Sequence, residues 1–208
     1  MKVTIIGTGN MARGIGTVAL AGGHELTLHG TERAKAAALA GELDGSAKAA
    51  TVGDPIDGDV VVLALWYPVT REVVERYGEG LDGKVVVDIS NPIDTDAFEP
   101  IHPDAGSGAE EVAAAAPKAQ VVKAFNTTFA GTLAGGGKVA GQPLDVFIAS
   151  DDDEAKAAVA RLAEDGGLHP VDAGSLRRAR ELEALGFLHM GVQEGLGTGF
   201  GSAVKIIA

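Results

Sequence analysis

The chain has 208 residues, room for one α/β domain with a small appendage, and its 17 Lys+Arg against 29 Asp+Glu give a net charge of −12. That balance argues against nucleic acid as a partner, because neutralising a phosphate backbone needs clustered cations; it leaves open an anionic cofactor held by a few local charges and helix amides. Cysteine is absent, which excludes disulfides, thiolate metal sites and a thiol nucleophile.

The N-terminus, MKVTIIGTGN, has an apolar run that meets a glycine turn after a few residues, too short for a secretory signal. No window approaches the roughly 18 apolar residues of a membrane span. The expectation is a cytoplasmic protein without a membrane partner.

Lys2–Ile6 reads as a buried parallel strand closed by Gly7, and Asn10–Ala21 as a helix stopped by Gly22-Gly23. His24–His29 is a second strand and Glu32–Leu43 an Ala-rich helix. Asp59–Leu65 and Lys84–Ile89 are apolar, β-branched strands separated by a short helix over Val69–Tyr77. Ser90–Gly108 is rich in Pro, Asp and Gly and is predicted to be mostly loop, of a length that commonly borders a site. Ser107 caps a helix over Ala109–Ala116, whose first turn holds Glu110 and Glu111. Gln120–Phe125 and Leu144–Ala149 are strands around a flexible glycine loop, GTLAGGGKVAG. Asp151–Glu164 is a helix, Leu168–Val171 the last strand of the main sheet, and Arg177–Met190 a long helix. The tail EGLGTGFGSAVKIIA matches no regular element.

Alternating strands and helices imply a doubly wound, mostly parallel sheet with right-handed crossovers and a small C-terminal helical portion. The division expected is a dinucleotide-binding domain over 1–149 and a smaller portion over 150–208 that closes a cleft.

Directly after the first strand, GTGNMA fits G-x-G-x-x-G/A: Gly7 for the tight turn, Gly9 for close approach of a pyrophosphate, Ala12 for close packing of helix on sheet. Roughly twenty residues on, an NAD site usually carries an acid for the ribose hydroxyls. Here the strand ends in Leu28-His29-Gly30-Thr31, with Glu32 one step late and Arg33 and Lys35 following. The repulsion that excludes a 2′-phosphate is missing, and Thr31 with Arg33 or Lys35 suits that phosphate; the residues equally fit a solvated helix start. NADP is favoured over NAD.

Trp66-Tyr67-Pro68, Ser90-Asn91-Pro92 and Asn126-Thr127 follow three strand ends, where open α/β sheets bind ligands. Trp66, the sole Trp, either walls a planar ring or packs on the following helix. None of the five histidines sits in a triad-like or HExxH-like setting, and no carboxylates have metal-ligand spacing. No catalytic acid or base is therefore assigned. Direct hydride transfer between two bound rings suits such a site, because it needs placement and water exclusion above all.

The motifs GTGNMARGIG, WYP, FNTT, SDDDEAKAAV and PVDAGSLRRARELEAL together resemble the coenzyme F420-dependent NADP oxidoreductase family through nearly the whole chain. The resemblance implies hydride exchange between NADP(H) and the deazaflavin F420, with both rings in one cleft. It puts Thr8, Gly9, Asn10 and Met11 at the pyrophosphate, Gly30, Thr31 and Lys35 at the adenosine phosphate, and Trp66, Tyr67 and Pro68 beside the two rings. Asn126 and Thr127 fall on the opposite strand end. Two departures matter: Thr31 stands where the family commonly has Arg, and Asn126 where deazaflavin enzymes can carry His. FNT also resembles the oxidoreductase domain of the STEAP metalloreductases, which pass hydride to a flavin. The alternatives are thus an NADPH-dependent reductase of a flavin or other small acceptor, and a non-enzymatic NADP sensor. The apolar, Gly-rich tail suits either a homodimer contact or a cleft wall.

Overall fold

The computed structural model describes residues 1–207. In chain order it holds β1 (Lys2–Ile6), α1 (Asn10–Ala21), β2 (Glu25–Gly30), α2 (Arg33–Glu42), β3 (Lys48–Thr51), β4 (Val60–Leu63), α3 (Tyr67–Tyr77) and β5 (Val85–Asp88). A ribbon of β6 (Ile93–Asp94) and β7 (Glu99–Pro100) leads to α4 (Gly108–Ala115), β8 (Gln120–Lys123) and α5 (Ala130–Ala134). A second ribbon, β9 (Lys138–Val139) with β10 (Gln142–Pro143), precedes β11 (Asp145–Ala149) and α6 (Asp153–Asp165). β12 (His169–Gly174), α7 (Ala179–Gly191) and α8 (Gln193–Leu196) complete the order.

Eight strands form one sheet in the order β12-β11-β8-β5-β4-β1-β2-β3. Six, from β3 to β8, run parallel, whereas β11 and β12 are parallel to each other and antiparallel to β8. The sheet is therefore mostly parallel, and β12 extends it beyond residue 150.

The apolar runs of the central strands follow from burial on both faces. Ile5, Val62, Val87 and Val122 face a core completed by Ile15 and Val18 of α1, Leu39 of α2 and Val159 and Leu162 of α6. Their neighbours Ile6, Val61, Val86 and Val121 point to the other face, where Val74 of α3 and Ala109 and Val112 of α4 cover them. Adjacent residues thus serve opposite cores, as the two-residue period of a strand requires.

Several segments differ from expectation. The loop GTLAGGGKVAG contains α5 and the β9–β10 ribbon. α5 forms because α1 approaches it closely at Gly14, where a Cβ would lie 2.9 Å from Leu133 Cβ. Five residues are too few to declare a helical period. β3, an Ala-containing edge strand, has no strand signal of its own and forms by pairing Thr27–Gly30. The long C-terminal helix begins as a 3-10 turn over Leu176–Arg178 before α7, and the tail opens with α8.

Ser107 caps α4 as expected, its Oγ accepting from Glu110 N at 3.1 Å. No helix among the described residues is long and apolar enough to cross a membrane.

Leu162, fully buried between α6 and the sheet, reports on the larger core. Leu162→Ala is expected to lower unfolding free energy by about 2–5 kcal/mol, measured by urea denaturation.

Candidate active site

The strand order reverses at β1, which pairs with β2 on one side and β4 on the other, and open α/β sheets carry their crevice at such a point. Gly7 makes the turn there with φ +119°, and a Cβ on it would lie 2.3 Å from the Ala64 carbonyl oxygen, so no other residue fits. Gly9 is different. It is the N-cap of α1, and a Cβ there would meet no protein atom within 4 Å. Nothing inside the protein requires glycine at position 9, and the space over it is open. α1 begins without a side-chain cap or an acid in its first turn, so its positive end faces that space bare. Asn10 is exposed, Thr8 and Met11 are half-buried, and Ala12 is buried against the sheet. These residues fit a dinucleotide's pyrophosphate, held by backbone N–H groups with the phosphates over Gly9.

On the β2 side, Gly30 is buried and a Cβ there would come within 3.1 Å of Thr8 Cγ2, which keeps the glycine turn and the β2 end in contact. Thr31, Arg33 and Lys35 are exposed. Lys35 Nζ is engaged by Glu32 Oε1 at 2.6 Å, whereas Arg33 has no ion pair among the described residues. Beneath them His29 Nδ1 meets Tyr77 Oη at 2.8 Å, and Tyr77 Oη accepts from Gly53 N at 3.0 Å. Which of the two donates depends on the imidazole tautomer, since the phenol oxygen can accept from both. Burial pushes the His29 pKa down.

On the β4 side, Trp66 is 70% exposed at the N-cap of α3, so it does not pack as a core aromatic. Pro68 is exposed in the first turn of α3. Tyr67 is half-buried and turns its hydroxyl toward α4, donating to Glu111 Oε2 at 2.9 Å. Burial first, then that bond, pushes its pKa up to about 12, so it stays protonated at neutral pH. Gly108 bridges to the next strand end, since a Cβ on it would lie 3.2 Å from Tyr67 Cδ2 and 3.3 Å from Ser90 Oγ.

Ser90 and Asn126 are buried, with Asn91 half-buried and Pro92 and Thr127 buried around them. The two asparagines clasp each other: Asn91 Nδ2 donates to Asn126 O at 2.9 Å, and Asn126 Nδ2 to Asn91 Oδ1 at 2.9 Å. Asn126 Nδ2 also donates to Leu182 O of α7 at 2.8 Å. Ser90 Oγ and Asn126 Oδ1 are buried without a hydrogen-bond partner, and neither has surface open to the cleft. Thr127 O meets His189 Nδ1 at 3.1 Å, and His189 Nε2 meets Ser202 Oγ at 2.8 Å, which ties the tail to this end. The rim thus runs from Gly30 through Thr8, Gly7, Ala64 and Trp66 to Ser90, Asn91, Asn126 and Thr127. The strand-end residues singled out in the sequence share one edge of the sheet.

Other residues of this edge gave a weaker signal. Phe125, fully buried, has φ +61° and turns the chain after β8 so that Asn126 faces Asn91; a left-handed non-glycine cannot be read from sequence. Lys123 has 0% exposed surface, and its ammonium donates to Asp88 Oδ2 at 2.7 Å, Glu183 Oε1 at 2.6 Å and Ser90 O at 2.5 Å. Its trace in the sequence was a lone cation ending one apolar run, Gln120–Lys123, and a lone acid ending its neighbour, Val85–Asp88.

Residues 2–92 match the family model described as NADP oxidoreductase, coenzyme F420-dependent. The chain is 32% identical over 143 residues to the F420-dependent NADP reductase of Methanocaldococcus jannaschii, covering 65% of this chain and 62% of that protein. It is 30% identical over 184 residues to the metalloreductase STEAP3 of Rattus norvegicus, covering 88% of this chain and 36% of that protein. It therefore spans less than two thirds of either relative. Among solved structures, a candidate F420-dependent NADP reductase from Arthrobacter sp. FB24 superposes with a TM-score of 0.86 at 29% identity, over 100% of both chains.

Sheet order and glycine turn define the class, a Rossmann-type nucleotide-binding fold, which the chain shares with the NADP reductase structure matched above. Within that fold, the similarity to the family described as NADP oxidoreductase, coenzyme F420-dependent, is carried by residues 2–92.

Two outcomes follow from this geometry. Gly9→Ala should change stability by less than about 1 kcal/mol, because its Cβ enters open space, yet weaken nucleotide binding, measured by NADPH fluorescence titration. Burial, the largest cause in each case, holds His24, His29 and His189 below their ordinary 6.5. The unfolded chain therefore takes up protons first as pH falls, and stability declines from the unfolded pKa down toward the lowered folded values. Melting temperature should drop as pH falls through the ordinary histidine value of 6.5, and His29→Gln should make that slope shallower.

Proposed function

We propose that the protein transfers a hydride between NADP(H) and the deazaflavin coenzyme F420. The observation that carries this reading is the continuous edge from the open space over Gly9 to exposed Trp66. One end suits a pyrophosphate and the other the face of a heterocycle. The nicotinamide, when bound, supplies the hydride chemistry itself.

The protein's part is binding and placement. Gly7, Thr8, Gly9, Asn10, Met11 and Ala12 hold the pyrophosphate by backbone amides. Gly30, Thr31 and Arg33 receive the 2′-phosphate, with Lys35 adding charge from its pair with Glu32. Trp66 lies against a ring face and excludes water. Tyr67 and Pro68 start α3 beneath it. Ser90, Asn91, Pro92, Asn126 and Thr127 form the opposing wall, which residues of the 150–208 portion close through Leu182 and His189. No side chain is assigned a bond-making role.

A second reading, a flavin as acceptor, is favoured by the match to STEAP3 over 88% of this chain and by Asn rather than His at 126. A cytoplasmic location and a homodimer belong to the same proposal. Sedimentation of the purified protein tests the dimer.

A spectral titration with NADPH, F420 and flavin mononucleotide tests the acceptor: NADPH should be oxidised with F420 and not by flavin. Oxidation by flavin alone would replace the first reading with the second. Binding of NADPH with no turnover on any acceptor would instead support a sensor. Thr31→Glu should weaken NADP more than NAD by roughly 1–3 kcal/mol, through repulsion and a lost hydrogen bond. Equal loss for both nucleotides would remove Thr31 and Arg33 from the phosphate site.

A further inference from the structure

Lys123 is an unusual residue for the middle of a domain. Its side chain has no exposed surface, and its three ammonium protons have three acceptors, on β5 (Asp88), on the chain just after β5 (Ser90 O) and on α7 (Glu183). Each of those partners has a second attachment. Asp88 Oδ1 accepts from Ser90 N at 3.0 Å. Glu183 accepts from Gly108 N at 3.2 Å and from Ala109 N at 3.4 Å, the start of α4.

Four elements thus meet on one buried cation, and they meet directly under the wall of the cleft. Ser90 is held at both N and O, so its backbone cannot shift without breaking a bond to the cluster. α7 is drawn down by Glu183 and held by Asn126 donating to Leu182 O, so closely that a Cβ on Gly186 would lie 2.7 Å from Asn91 Oδ1. The Asn91–Asn126 clasp is pressed between the strand ends and α7.

We infer that Lys123, gripped by Asp88 and Glu183, is a positioning residue that sets Ser90 and Asn126 at the nicotinamide end of the cleft. It touches no ligand and acts through the strand ends that carry those two residues. A surface ion pair gives way to solvent, but a fully buried ammonium with all three protons bound holds one arrangement, because any displacement leaves a charge unpaired in the interior. This inference rests on the reading of the cleft as an NADP(H) site and adds what fixes one half of it.

The two halves of the nucleotide provide the test. Affinity for 2′,5′-ADP, which reaches only the adenosine end, and for NADPH is measured by isothermal titration calorimetry. Turnover is measured with the acceptor that wild-type protein uses. Lys123→Met and Glu183→Leu should bind 2′,5′-ADP within twofold of wild type, lose at least tenfold in NADPH affinity, and lose at least tenfold in kcat. Glu183→Gln keeps an acceptor for Lys123 and should restore both to within threefold.

If Lys123→Met does not fold, the comparison of Leu with Gln at 183 decides. Folded Glu183→Leu with unchanged NADPH affinity and kcat would overturn the inference. Equal impairment by Leu and Gln would also overturn it, since it would make the site a matter of packing and charge count alone. Wild-type protein that binds neither nucleotide overturns the cleft reading and the inference together, and is seen before any variant is made.

Discussion

A buried ammonium is tolerated in a protein interior only when it is fully paired, because stripping its water costs several kcal/mol that geometry must offset. Lys123 meets that condition with three short bonds, and it does so at the place where β5, β8, α4 and α7 converge. The apolar cores on the two faces of the sheet supply the bulk of the folding free energy through non-directional burial. The charged cluster adds direction. It fixes α7, and with it the C-terminal portion, to the edge of the sheet that carries the glycine turn.

That edge divides into two kinds of surface. At the β1–β4 crevice the protein contributes backbone: an obligatory glycine at 7, an open position at 9, and a helix start with neither cap nor acid. At the β5–β8 end it contributes side chains that are already bonded to one another, with two polar atoms left over. The first surface suits an extended anion, and exposed Trp66 between the two suits the face of a planar group. Tyr67, the phenol at this edge, is pushed away from neutral-pH chemistry by burial and by Glu111, which leaves placement rather than proton exchange as its contribution.

Much of this was legible in the residues. The runs at 2–6, 60–63 and 85–88 announce strands buried on both faces, and GTGNMA between strand and helix announces the crevice. β3 and α5 were not legible, because one is an edge strand of Ala, Lys and Thr that needs β2 as a template, and the other has five residues and needs α1 against it. Lys35 and Arg33 looked equivalent in sequence and are not, since Glu32 one helical turn before Lys35 takes up its charge. Nor does the antiparallel turn of β11 and β12 appear in their composition, for an apolar strand reads alike in either direction.

The sequence by itself determined the alternation of strand and helix, the position of the crevice and the absence of a thiol or a histidine triad, because those depend on local periodicity and residue type. Only the tertiary structure decided that Trp66 stands free, that Asn91 and Asn126 clasp across 35 residues of chain, and that Lys123 finds Glu183 60 residues away. Such contacts depend on which elements the sheet order brings side by side, and a linear pattern carries no record of that distance.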